Sequence, residues 1–284
     1  MYGQVVAAFG RHFEVETADG GLVSCVTRGK KGGVACGDRL RIEMTGPAQG
    51  VIKSIEPRTS LLFRSDEFRE KIIAANVTQI IIVVAAQPSF YEDLVSRCLL
   101  AAEVAGLKVL IVLNKCDLEQ ETRAALGQLQ LYRDLGYPLL TLSAKQDISP
   151  LRPYLQGETS VLVGQSGMGK SSIINALLPD VQAHTREISQ ALNSGKHTTT
   201  HARLYHLDGD SHIIDSPGLQ EFGLAHVSAQ DIAHAFVEFR PYLGGRCRFS
   251  NCRHLVEPGC ALLEAAATGK IDPRRLEIYR KLAG

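Results

Sequence analysis

The polarity pattern along the chain changes character twice. Through the first 66 residues, short strand-like stretches are punctuated by glycine: Val5–Phe9, Phe13–Thr17, Leu22–Val26, Arg39–Glu43 and Gly50–Ile55. The breaks at Asp19-Gly20-Gly21, Gly29 to Gly33 and Gly46-Pro47 supply the residues that turns need. Five short strands so spaced predict a small barrel over 1–66.

From 67 to 225 apolar runs alternate with segments of helical period. Strands are expected at 78–86, 108–113, 138–142, 160–163, 203–207 and 211–214. Between the first two, Leu94, Cys98, Ala102 and Ala105 recur at helical spacing and stop at Gly106. This alternation predicts a parallel α/β sheet. Beyond 226 the pattern is helical. Ser228-Ala229-Gln230-Asp231 reads as a cap, followed by a helix with Ile232, Phe236 and Phe239 on one face up to Pro241. Asp272-Pro273 opens a last helix carrying Leu276, Tyr279 and Leu282. Three domains are expected: 1–66, 67–225 and 226–284.

Composition narrows the class. A 284-residue chain with 45% hydrophobic and 21% charged residues excludes wholesale disorder. The longest apolar run, Ile80 to Ala86, is too short to span a bilayer, and Met1-Tyr2-Gly3-Gln4 opens no secretory signal. A cytoplasmic protein is expected. The net charge of +1 hides basic ends, +3 over 1–64 and +3 over 226–284, around a centre of −5. Basic flanks suit a nucleic-acid partner, although such values also fit ordinary scatter. Arg28, Lys30, Lys31, Arg39 and Arg41 gather around one glycine-rich turn that could follow a phosphate backbone or merely be solvated.

The middle segment carries the chemistry. Gly164-Gln165-Ser166-Gly167-Met168-Gly169-Lys170-Ser171 follows apolar Val161-Leu162-Val163 and leads into a helical run, Ser171 to Leu178. Here glycines let backbone N–H groups face phosphates, Lys170 reaches the terminal phosphates and Ser171 takes magnesium. Asn114-Lys115-Cys116-Asp117 chooses the base. The Asp117 carboxylate can accept from guanine N1–H and the 2-amino group, which adenine does not offer. Asn114 can meet the 6-oxo side or hold the loop, and the Lys115 stem can cover the ring. Ser143-Ala144-Lys145 ends the next strand, where the Ala144 N–H could meet the guanine oxygen. Asp215-Ser216-Pro217-Gly218 supplies a magnesium-side carboxylate and the Gly218 N–H for the γ-phosphate. One of Thr198, Thr199 and Thr200, with Thr199 preferred, would complete the magnesium shell.

Seven cysteines without an export signal favour metal binding or burial over disulfides. Cys25, Cys36, Cys98 and Cys116 are scattered. Cys247, Cys252 and Cys260 crowd together with His254, a complete tetrahedral donor set with no position left for water. Arg246, Arg248 and Arg253 surround it and could also meet phosphates.

The motif order is diagnostic: N-K-x-D and S-A-K precede the P-loop. The chain resembles the circularly permuted GTPases, most closely the ribosome small-subunit-dependent GTPase A family. That resemblance implies an OB-like RNA-binding barrel, a permuted P-loop GTPase domain and a C-terminal, mainly helical zinc domain. It also implies one structural zinc on the four cysteine and histidine positions, Mg2+ with GTP, and action as a monomer on the small ribosomal subunit and its rRNA in late maturation. Leu219 stands where Ras-like enzymes carry the water-orienting glutamine, and Gln220 is one residue out of register. The resemblance implies that His197 positions the water instead, at a low basal rate. A different class remains open: an RNA-binding scaffold with GTP as a structural ligand and negligible turnover. An ATP-dependent kinase fails on Asp117.

Overall fold

An eleven-stranded sheet runs from the nucleotide layer into the barrel without a break. This is a computed structural model, and it describes residues 1–28, 33–66, 69–179, 202–216, 224 and 227–283. The barrel strands are β1 (Tyr2–Phe9), β2 (His12–Thr17), β3 (Leu22–Thr27), β4 (Arg39–Gly46) and β5 (Gln49–Ile55). Their inward positions, including Val5, Phe13, Val15, Cys25, Leu40 and Ile52, form a separate core. The five expected strands are present, and pairing of β1 with β4 closes the ring in the OB-like order β1-β2-β3-β5-β4.

β1 serves two partners. Its Tyr2–Gln4 end pairs with β4, whereas Ala7 and Ala8 pair with Arg203 and Ala202 of a strand from the nucleotide layer. A bulge between Val5 and Ala7 separates the two ends, and an extra residue bends a strand in this way. A hairpin, β6 (Leu61–Asp66) and β7 (Arg69–Ala75), follows the barrel. The sequence pattern did not resolve it, and the expected division at 66/67 falls between its strands.

The α/β layer contains β8 (Gln79–Ala85), β9 (Lys108–Asn114), β10 (Leu139–Thr141), β11 (Thr159–Val163), β12 (Ala202–His206) and β13 (His212–Asp215), in the order β10-β9-β8-β11-β13-β12. All are parallel except β12, which runs against both β13 and β1. All seven residues of β8 are buried, as expected of a central parallel strand covered on both faces. The helices are α1 (Glu92–Ala105), α2 (Glu119–Asp134), α3 (Arg152–Leu155) and α4 (Lys170–Leu177). α1 ends on left-handed Gly106, where the pattern places the stop.

The C-terminal part contains α5 (Ala229–Ala235), α6 (Ala261–Ala267) and α7 (Pro273–Ala283). Ser228 Oγ caps α5 by accepting from the Asp231 N–H at 3.1 Å. The expected helix up to Pro241 is shorter than the pattern suggests. Phe236 is extended (φ −77°, ψ 102°), and a 3-10 turn covers Val237–Tyr242. In a continuous α-helix the Pro241 ring would strike the Val237 carbonyl, and the break avoids this clash. It also stacks Phe236 on Phe239 at 4.5 Å, both edge-on to Tyr279. Leu100 of α1 joins this core and seats the C-terminal part on the α/β layer.

Candidate nucleotide site and metal centre

The loops after β8, β9, β10 and β11 meet at the carboxyl edge of the sheet, where open α/β folds bind ligands. The P-loop after β11 is shaped by two glycines. Gly164 has φ +148°, and a Cβ there would lie 2.2 Å from the Val83 carbonyl oxygen. Gly169 has φ +92°, and a Cβ would lie 2.3 Å from Asn114 Nδ2. Both are close approaches that only glycine permits. Lys170 opens α4, and its Nζ donates to the carbonyls of Gly164 at 2.5 Å and Gln165 at 2.8 Å. Burial lowers the Lys170 pKa, while Asp215 at the end of β13 opposes that shift. Burial likewise raises Asp215, opposed by Lys170.

Asn114 joins the two halves of the site. Its Nδ2 donates to the Met168 carbonyl at 3.0 Å, and its Oδ1 accepts the Ala144 N–H at 3.0 Å. Of its two expected roles, the structure displays the loop-holding one. Asn114 is buried, only 2% exposed, between these two partners. Asp117 is oriented by Ser143 Oγ, which donates to its Oδ1 at 2.6 Å. That hydrogen bond is the main reason the Asp117 carboxyl sits below its ordinary value. Lys115, at φ +66°, sends Nζ to the Gln87 carbonyl at 2.7 Å. A cavity of about 430 Å³ lies between Asp117, Lys115, Ser143 and Gly169, with Gln87 and Pro88 forming its far wall.

Gln87, Pro88 and Tyr91 were not singled out from sequence, although a polar-proline step directly after a buried strand marks a site loop. The Tyr91 N–H donates to Gln165 Oε1 at 2.8 Å and ties that loop to the P-loop. Cys116 donates its thiol to the Leu113 carbonyl and supports the loop. Ser166 and Ser171 are exposed at the mouth, Ser172 lines the base cavity, and Met168 is buried beneath. Gly167 packs near Pro88. Lys30, Lys31, His197, Thr198, Thr199, Thr200, Gly218, Leu219 and Gln220 lie outside the described residues.

The second constellation lies before α6. One donor atom from each of Cys247, Cys252, His254 and Cys260 lies within 4.8 Å of all the others. His254 Nδ1 is 3.5 Å from Cys247 Sγ and 3.3 Å from Cys260 Sγ. Burial pushes the Cys252 thiol up to about 12, with Cys260 and Cys247 adding to the rise, and lowers His254. Three crowded sulfurs and a neutral imidazole form a donor set that suits a tetrahedral cation. Glu257, not anticipated from sequence, shapes the loop. Its carboxylate accepts the N–H groups of Arg253, Leu255 and Val256 at 2.9, 2.8 and 3.0 Å. Burial raises its pKa, but those backbone bonds outweigh it and carry the value down to about 2. Arg253 Nη2 donates to the Ala283 carbonyl at 2.6 Å.

A model of the RsgA GTPase family matches residues 55–225, from the last barrel strand through the P-loop and beyond β13. The chain belongs to the RsgA GTPase family. It is 59% identical over 282 residues to the small ribosomal subunit biogenesis GTPase RsgA of Nitrosospira multiformis, covering 99% of this chain and 90% of that one. Identity to the protein of the same name from Nitrosomonas europaea is 55% over 285 residues, with the same coverage. Among solved structures, YjeQ from Thermotoga maritima aligns with a TM-score of 0.74 at 31% identity, covering 99% of this chain and 96% of that one. YloQ, described as a circularly permuted GTPase, aligns at 0.71 and 26% identity, with 99% and 93% covered. The permuted GTPase fold with its barrel and helical flanks is therefore that of the family.

Proposed function

We propose that this RsgA-family GTPase hydrolyses GTP while bound to the small ribosomal subunit through its rRNA, late in assembly, and leaves after hydrolysis. The observation that supports this most is the Asn114 bridge. It brings a guanine-reading carboxylate, Asp117, and a phosphate-cradling loop, 164–171, to one cavity in the permuted order. The relatives named above, similar over nearly the whole chain, carry the small-subunit assignment in their names.

In this reading Asp117 accepts from the guanine edge, Lys115 covers the ring and Ser143 holds Asp117 in place. The N–H groups of the P-loop surround the phosphates, and Lys170 exchanges its two loop carbonyls for phosphate oxygens. Ser171, Asp215 and Thr199 would hold Mg2+, which supplies charge neutralisation between the phosphates. Cys247, Cys252, His254 and Cys260 would hold one structural zinc. His197 orients the attacking water, since Leu219 has no polar atom to do so. The three domains, 1–66, 67–225 and 226–284, act as a cytoplasmic monomer, and the two basic ends meet rRNA.

The test is steady-state phosphate release with and without purified small subunits. Turnover should be slow alone and rise with subunits, and His197→Ala should lose about tenfold or more of the stimulated rate with GTP affinity little changed. Leu219 favours one rival, a GTP-bound RNA scaffold. Binding to subunits without any stimulated release would establish that rival and remove the enzyme reading. Full stimulated activity in His197→Ala would remove the histidine from the mechanism alone.

A further inference from the structure

Beside the cysteine cluster lies a pocket of about 400 Å³, between α5 and the loop 244–254, and no carboxylate lines it. Phe249 stands at its edge with 41% of its surface exposed. The Arg248 guanidinium lies over this ring, 5.6 Å from its centroid. Gln230, Ser250 and Asn251 add neutral donors and acceptors to the wall. Gly244 and Gly245, at φ +77° and +83°, turn the chain on the other side without side chains to fill the space.

The charge along this loop is one-sided. From Leu243 to Val256 the sequence has Arg246, Arg248 and Arg253 and no acidic residue. The next acid, Glu257, is engaged by three backbone N–H groups. Arg253 lines the pocket and is tied through Nη2 to the Ala283 carbonyl, while Arg246 and Arg248, on either side of Cys247, are exposed beside it. A large aromatic face held in water beside guanidinium groups serves a planar ligand that carries negative charge. The volume is of the small-molecule scale and admits one base, not a stacked duplex. Aromatic stacking with nearby cations is how proteins hold unpaired nucleotides.

We propose that this pocket takes one unpaired base of an RNA strand, stacked on Phe249, with Arg246 and Arg248 on the flanking phosphates. The inference rests on the RNA-binding part of the proposed function and deepens it. The amides of Gln230 and Asn251 offer both donor and acceptor to the base edge. Cys252 and His254 form part of the same wall, so a metal held there would fix the loop that presents Phe249.

The experiment uses the full chain, a fluorescein-labelled single-stranded RNA of mixed sequence and an RNA duplex of equal length, followed by anisotropy at one salt concentration. Phe249→Ala should weaken single-strand binding by about 5- to 100-fold, the range of a lost base stack. Phe249→Tyr should stay within about twofold, duplex binding should not move, and GTP affinity and metal content should match the wild type. Phe249→Leu, which keeps apolar bulk but no ring, should lose single-strand binding like the alanine variant, and it decides the matter if Phe249→Ala fails to fold. Wild-type affinity in both variants, or equal loss on strand and duplex, overturns the base pocket. Stacking-dependent strand binding by a wild type that ignores purified small subunits would support the pocket and defeat the ribosomal reading. Subunit binding with both variants unimpaired on RNA would do the reverse.

Discussion

Arg203 on β12 donates to Glu14 of the barrel at 2.7 Å, alongside the register Ala7↔Arg203 that joins the two parts of the sheet. Three residues further along β12, His206 Nε2 meets Glu16 Oε2 at 2.6 Å. Two glutamates on β2 are thus engaged by side chains of the strand that directly follows 180–201, the segment with His197 and the three threonines. Backbone pairing, the Arg203–Glu14 ion pair and the His206–Glu16 contact join the barrel to that strand.

Asp117→Asn should convert guanine preference into xanthine preference, because the amide donates to a 2-oxo group and no longer accepts from a 2-amino group. Ser143 can still reach the retained oxygen, so the loop should hold its shape. Competition binding with GTP, ATP and XTP reads this directly. Unchanged GTP preference would remove Asp117 from base recognition.

Cys252→Ser should release the metal and loosen the part after 240 while leaving GTP binding largely intact. The C-terminal core around Phe236, Phe239 and Tyr279 is distinct from the core beneath the P-loop. Metal analysis of the wild type should return about one zinc per chain, the stoichiometry of a four-donor structural site. A wild type free of metal, purified without chelators, would defeat the assignment.

Arg275→Met should be the most damaging single change in the C-terminal part. The guanidinium is fully buried; it pairs with Glu238 at 2.5 Å, donates to Ser96 at 2.9 Å and lies 4.4 Å over the Phe236 ring. Removing it leaves the Glu238 carboxylate, itself 9% exposed, without a counter-charge. Breaking a buried pair from one side costs about 3–5 kcal/mol. Denaturant unfolding should register this loss, and adding Glu238→Leu should restore part of it. An unaltered midpoint would mean that the pair adds nothing.

Stability should fall as the solution is acidified through the histidine range. Burial lowers the His212 pKa, and His206, whose Nδ1 is 2.9 Å away, lowers it further; Asp208, Asp210 and Glu16 oppose. A depressed folded value means that the fold prefers neutral imidazole. The stabilisation is therefore complete above the unfolded value of about 6.5 and is lost as pH falls below it. Melting temperatures between about pH 7 and pH 5.5 should drop more steeply for the wild type than for His212→Gln. Parallel curves would exclude His212 as the source.

Much of this protein follows from local pattern. Short strand-like stretches between glycine turns predict the five barrel strands, and apolar runs predict the six strands of the α/β layer, because burial is written into residue type along a strand. The nucleotide loops are legible for a related reason. Gly164 and Gly169 meet backbone and side-chain atoms at distances no Cβ tolerates, so the chemistry demands those residues at that spacing. The four metal donors are equally local, all within fourteen residues of chain.

What tertiary structure decided depends on partners distant in sequence. Arg275 is buried because Ser96 of α1 and Phe236 and Glu238 of the segment after α5 converge on it. The contacts of Asn114 with Ala144 and Met168 arise from the approach of loops 30 and 54 residues away. The helix after Ser228 breaks at Phe236, where Pro241 and the Tyr279 ring override helical spacing. The seam between barrel and nucleotide layer, Ala7↔Arg203, joins residues nearly two hundred positions apart. Periodicity reports which face of an element is apolar. Only the assembled chain determines which element covers that face, and a buried charge or amide is stable only once its partner has arrived.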